Sequence, residues 1–144
     1  MTEDLHATVD EQLRRSRQRY TSGRRQLVAL LADTARPVTI PELLALGAHQ
    51  SQSSLYRNLA VLEQAGAVHR MTSTDDVARY ELTEELIEHH HHVVCSVCGH
   101  VEDVTLPIEV ERTLTVAAER AATAHGYTIE THRFELVGRC RECG

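Results

Sequence analysis

No lysine occurs in the 144 residues, no cysteine precedes Cys95, and no apolar run approaches the roughly 20 residues needed to cross a bilayer. Each absence narrows the reading. The opening segment, Met1 to Asp10, is acidic and polar, whereas a secretory leader is basic and then apolar, so a cytoplasmic protein with no membrane partner is expected. In a reducing compartment the four cysteines, arranged as two Cys-x-x-Cys pairs, hold metal rather than form disulfides. Any such staple belongs to the second half alone. A zinc hydrolase, the principal reading from another class, finds neither a His-Glu-x-x-His helix nor an evident general base. A zinc-dependent interaction module or metal store is a further alternative.

The net charge of −6 conceals a division along the chain. Residues 1–82 hold ten arginines and ten acids, whereas residues 83–144 hold five arginines and eleven acids. The acid excess therefore lies wholly in the second part. Six N-terminal arginines fall between Arg14 and Arg25, a basic stretch suited to DNA phosphates or to a solvated helical face. A chain of this length makes one ordinary domain or two small ones, and two small ones need staples beyond their cores.

Apolar spacing and caps predict a first helix from about Leu5 to Gln18 and a second capped by Thr21 or Ser22. Thr39 caps a short third helix, with Pro41 in its first turn, Glu42 three residues after the cap, and Gly47 at its close. Ser51 or Ser53 starts a fourth helix, in which Leu55, Leu59 and Leu62 repeat at helical steps before Gly66. Residues 67–71 and 77–82 flank a polar turn and read as a two-stranded wing. Helix, turn, helix and wing together form a DNA-binding layout. Further on, strands are expected over 91–95 and 101–104, a helix over 114–125, and one long strand over 127–137.

Two residues between thiolates place both sulfurs on one tetrahedral zinc, and Gly99 and Gly144 follow the pairs Cys95/Cys98 and Cys140/Cys143. Four sulfurs leave no open position, so the site is structural and zinc binding is part of folding. A redox reading of one Cys-x-x-Cys loses ground to the second pair. The run His89 to His92 enters the first knuckle, and in an extended segment its side chains alternate. His90 and His92 share one face, and His89 and His91 share the other. His69, Glu81, Glu109 or Glu111, and His132 are further donors that could complete the two pairs. On the fourth helix, Ser53, Ser54, Tyr56 and Arg57 lie near the end that a recognition helix inserts into the major groove.

As a set, these segments resemble the ferric uptake regulator family of metal sensors. The motifs that carry the resemblance are Tyr20-Thr21-x-x-Arg24, Ser54-Leu55-Tyr56-Arg57-Asn58-Leu59, Arg79-Tyr80-Glu81-Leu82, the histidine run with its knuckle, and His125-Gly126 through His132 to Cys140. The resemblance implies an α+β protein with a winged helix-turn-helix domain over 1–83, a hinge over 84–88 and a small α/β dimerisation domain over 89–144. It implies a homodimer that represses metal-uptake genes on an inverted-repeat DNA operator, with a peroxide sensor as the alternative within the family. It assigns a regulatory metal to His69, Glu81, His90 and His92, and a second metal to His89, His91, Glu111 and His132. Tyr56 and Arg57 would meet bases, with Ser53 and Ser54 beside them, and Arg19 would reach the minor groove. Structural Zn2+ is expected on the four cysteines and Fe2+ or Zn2+ at the regulatory site, where Mn2+ and Ni2+ also suit imidazole and carboxylate. The sequence departs from the family pattern at Arg36-Pro37, where iron-type relatives carry a histidine, and in its extra residues at Glu84 to Glu88.

Overall fold

The computed structural model describes residues 2–144 and has the expected α+β organisation. Helix α1 (Thr2–Arg15) begins and ends about three residues earlier than its apolar pattern predicts. Glu3 and Asp4 favour the positive end of the helix dipole. Arg17 turns left-handed (φ 57°), and the Gln18 amide then returns to the Leu13 carbonyl, which stops the helix.

Side chains that accept their own helix's first amides start the next three helices. Thr21 precedes α2 (Ser22–Thr34), Thr39 precedes α3 (Ile40–Ala45), and Ser51 precedes α4 (Gln52–Gln64). Their oxygens accept from the Arg24, Glu42 and Ser54 amides. The apolar stripes of these helices, among them Leu27, Leu31, Leu43, Leu55, Leu59 and Leu62, meet Val9 and Leu13 of α1 in one buried core. Strands β1 (Val68–Thr72) and β2 (Ala78–Leu82) pair antiparallel as the wing, and Val38 bridges to Tyr80 on the far side of β2.

Because side chains alternate along β2, Tyr80 and Leu82 enter the helical core while Arg79 and Glu81 point away from it. All four are buried, since the second lobe covers the other face. That lobe is a three-stranded sheet in the order β4-β3-β5, from β3 (His91–Cys95), β4 (Val101–Val104) and β5 (Glu135–Gly138), with α5 (Ile108–Thr123) between β4 and β5. The segment 84–88, expected as a hinge, turns after Thr83, and its Leu86 and Ile87 pack on the N-terminal core.

Two expectations are corrected here. Helix α5 begins six residues before Leu114, because Pro107 pre-sets the entry and Glu109 and Glu111 suit the first turn. The long strand expected over 127–137 shrinks to β5. It runs parallel to β3 with His92 opposite Glu135, so residues before 134 would need partners upstream of His91. That stretch is already turned onto the first lobe.

The wing turn docks on the first cysteine knuckle. Ser73 Oγ donates to the Gly99 carbonyl (2.6 Å), and Thr74 Oγ1 donates to the Cys95 carbonyl (2.6 Å). Asp75 forms a two-point ion pair with the buried Arg79 (2.8 and 2.9 Å), whose hydrogen bonds hold its carboxyl below the usual value. Gly99 is left-handed (φ 78°), and a Cβ there would overlap the Asp75 carboxyl group. Gly99→Ala is therefore expected to lower the thermal midpoint by an amount equivalent to at least about 1–2 kcal/mol, the left-handed backbone cost alone. It should also raise hydrogen exchange at residues 73–76. Unchanged exchange there would show that the wing turn does not depend on this contact.

Candidate metal centres

Among the described residues three groups of donor atoms converge, and within each group all ligand atoms lie within 4.8 Å of one another. In the first, the turns after β3 and β5 bring Cys95, Cys98, Cys140 and Cys143 together. Cys98 Sγ lies 3.7 Å from Cys140 Sγ. A tetrahedron with Zn–S bonds of about 2.3 Å has edges of about 3.8 Å, so the spacing fits zinc. The Cys98, Cys140 and Val97 amides all point at Cys95 Sγ and bring its thiol down to about 5. The Cys143 thiol is pushed up to about 12, chiefly by its hydrogen bond to the Cys140 sulfur. A dication among the four sulfurs would displace such shared protons.

The second group spans the two lobes. Glu81 Oε1 is 2.8 Å from His92 Nε2, and Glu81 Oε2 is 3.1 Å from His90 Nε2. Asp103 completes it at 3.6 Å from His90 and 3.5 Å from His92. The β3–β4 register explains its presence, since Asp103 stands directly across from His92. The His90 Nδ1–H donates to the Glu88 carbonyl (2.9 Å), which orients the ring with Nε2 toward the carboxylates. Asp103 Oδ1 is buried without any hydrogen-bond partner. An orphaned carboxylate oxygen facing two imidazoles and a second carboxylate is suited to a divalent cation.

Charge crowding at this group shows in its titration. Burial raises the Glu81 carboxyl, but bonds and attraction from His92 and His90 outweigh it and leave it below the usual glutamate value. Burial and the neighbouring Glu81 push Asp103 up to about 6. Burial lowers His90, yet the Glu88 carbonyl and the Glu81 and Asp103 carboxylates carry it above its ordinary value.

The third group lies on the opposite face of β3. His91 Nε2 is 2.6 Å from Glu111 Oε1, while His132 Nε2 and His89 Nε2 lie 3.2 and 3.4 Å from Glu111 Oε2. In the histidine run, His90 and His92 lie toward the wing and His89 and His91 toward α5. Of the two glutamates at the start of α5, Glu111 faces the histidines.

The match to the ferric uptake regulator family extends over residues 15–137, most of the chain. The chain belongs to the ferric uptake regulator family. Its relatives include the ferric uptake regulation protein of Rhizobium leguminosarum bv. viciae, 32% identical over 139 residues that cover 94% of this chain and 93% of the relative. A zinc-bound manganese uptake regulator superposes with a TM-score of 0.65 at 31% identity, over 92% of this chain and 98% of that one. The Helicobacter pylori ferric uptake regulator, described with three functional metal-binding sites, shares the fold with a TM-score of 0.76 at 20% identity, over 99% and 93% of the two chains. The protein is thus a metal-dependent transcriptional regulator, and regulators of this family are not enzymes, which removes the hydrolase reading.

His69 does not join the second group of donors. It stands across the wing ladder from Glu81 and lines the same cleft of about 690 Å³, but Asp103 occupies the fourth position. No spacing in the sequence marks Asp103, because its role depends on strand register. Arg36 is paired with Glu42 (2.8 Å) and contributes no donor. On α4, Ser53, Tyr56 and Arg57 are exposed, while Ser54 is engaged with Ser51 and Arg57 at the helix start. Arg19 is exposed between α1 and α2.

Two outcomes test the centres. Cys140→Ser is expected to remove one zinc per chain by metal analysis and to strip exchange protection from β3; full zinc content would contradict a four-thiolate site. Asp103→Asn keeps the side chain's shape but not its charge. It should weaken divalent-ion binding at the inter-lobe group at least about tenfold by calorimetry, leaving the thiolate zinc in place.

Proposed function

We propose that this regulator is a metal-responsive repressor that binds an inverted-repeat DNA operator as a homodimer in the cytoplasm. Fe2+ or Zn2+, held by Glu81, His90, His92 and Asp103, is its corepressor, and Zn2+ on the four cysteines is structural. The group of His89, His91, Glu111 and His132 takes a second divalent ion. The observation that carries the reading is Glu81, a buried carboxylate on the DNA-binding lobe's own wing, bound by two histidines of the other lobe.

A dication at that point favours one orientation of the winged helix against the metal-binding lobe. Two recognition helices fit successive major grooves only when spaced by roughly 34 Å, so a change of lobe angle becomes a change of operator affinity. Tyr56, Arg57 and Ser53 on the exposed face of α4 would read bases with Ser54 at its start, and Arg19 would enter the minor groove. A second chain is supported by apolar surface that one chain leaves open. No residue of α5 is buried, all of β5 is exposed, and Ile108, Val116, Tyr127 and Val137 face outward.

A peroxide-sensing role is the second reading, favoured by the absence of thiolate from the inter-lobe donors. Iron held by imidazole and carboxylate can oxidise its own ligands, and gain of one oxygen on His90 or His92 after peroxide treatment would support it.

Anaerobic titration of protein carrying only the thiolate zinc, with Fe2+, Zn2+, Mn2+ and Ni2+ in turn, should show one ion restoring specific DNA binding. In the double variant His90→Ala with His92→Ala, metal should no longer alter operator affinity, while thiolate zinc stays at one per chain. If that variant kept the full metal response, the coupling through Glu81 would be wrong.

A further inference from the structure

The winged-helix reading leaves one half-buried polar network without a role. Arg24, in the first turn of α2, is half-buried and belongs to none of the three metal groups, and its guanidinium reaches in two directions. Nε donates to Asn58 Oδ1 (3.1 Å) on the recognition helix, and Nη1 donates to the Arg19 main-chain carbonyl (2.6 Å). Asn58 in turn donates through Nδ2 to Gln50 Oε1 (2.7 Å), and Gln50 Nε2 donates to the Gly23 carbonyl (2.8 Å). The bonds form a closed ring from α2 to α4, through the turn before α4, and back to α2.

From this ring we infer that Arg24 is a positioning residue that fixes the arm bearing Arg19 relative to the recognition helix, acting through Asn58. The inference rests on the proposed placement of Arg19 in the minor groove and of Tyr56 and Arg57 in the major groove. A protein that reads both grooves at once must hold its two probes at a set separation. Residues 16–21, between α1 and α2, carry no regular structure; the Gln18 amide is held by the Leu13 carbonyl and the Tyr20 hydroxyl by His6, and between those two points the Arg24 guanidinium holds the Arg19 carbonyl. A guanidinium suits that task because its fork holds acceptors in two directions in one plane. A lysine keeps the charge but offers one point, so it can hold Asn58 or the Arg19 carbonyl, but not both at fixed angles. Asn58 lies beside Tyr56 and Arg57 in sequence but faces α2, so the joint is out of the way of the bases.

The test uses the full-length protein carrying thiolate zinc and the activating ion. The probes are a duplex selected from a random-sequence library by the native protein and a scrambled duplex of equal length. Arg24→Lys should raise hydrogen exchange of residues 17–20 while leaving α4 and the thermal midpoint unchanged. It should weaken binding to the selected duplex at least about tenfold, with scrambled-duplex affinity and the salt slope unchanged. Asn58→Ala should reproduce the loss, and the double variant should be no worse than either single one. Unchanged exchange at 17–20 in Arg24→Lys would overturn the clamp. Increased exchange with full affinity for the selected duplex would overturn its part in DNA reading, as would additive losses in the double variant. If the library yields no preferred sequence, the repressor reading itself fails, and the exchange measurement still decides the clamp.

Discussion

A carboxylate taken out of water on one lobe and met there by imidazoles from the other is the contact around which this molecule is arranged. Glu81 is 4% exposed, a costly place for an anion unless cationic or hydrogen-bonding partners face it. Its own domain supplies none among the groups bonded to it; His90 and His92 do, from across the cleft. Between protein groups alone such a pair is close to balanced, since separating the lobes returns each group to water. A divalent ion would alter that balance, because it would bond all the donors together and could do so only where both lobes meet. The weakness of the bare contact is what leaves room for the ion to matter.

The two lobes differ in what holds them. Sixteen buried apolar residues form the first lobe's core, while Val94, Cys95 and Val101 are the buried apolar residues of the second among those described. So few side chains leave the second lobe with little hydrophobic stabilisation of its own. The docked wing turn stands in for part of the missing interior, and under the proposed function zinc on the four thiolates and a second chain on the open apolar surface would supply the rest. On that reading, metal binding and association in this lobe would be part of folding and not additions to a finished domain.

Much of this was readable in the residues, and what was not has one common cause. The helix starts at Thr39 and Ser51, the stop at Gly66 and the knuckles all depend on neighbours a few positions away, so local chemistry specifies them. The alternation of His91 and His92 along β3 sends them to different sites, and the Glu88 carbonyl orients His90 to join His92. Asp103 and the shortened final strand depend on which strands lie side by side, and that pairing is a property of the whole lobe. His69 illustrates the converse: it occupies the right strand and the right face beside Glu81, yet Asp103 comes nearer the imidazoles from the adjacent sheet. Arg17 ended α1 against its apolar pattern because backbone reversal there satisfies the last carbonyls.

The arrangement of β3 also sets a parity rule for the chain. His89 to His92 are assigned to their two sites by odd or even distance from Cys95, whose knuckle anchors the strand. Gain or loss of a single residue between His92 and Cys95 would exchange the two sets of donors, turning His89 and His91 to Glu81 and sending their neighbours to Glu111. Gain or loss of two would restore the assignment. Upstream of the run no such arithmetic applies, because the turn at 84–87 can absorb length of either parity.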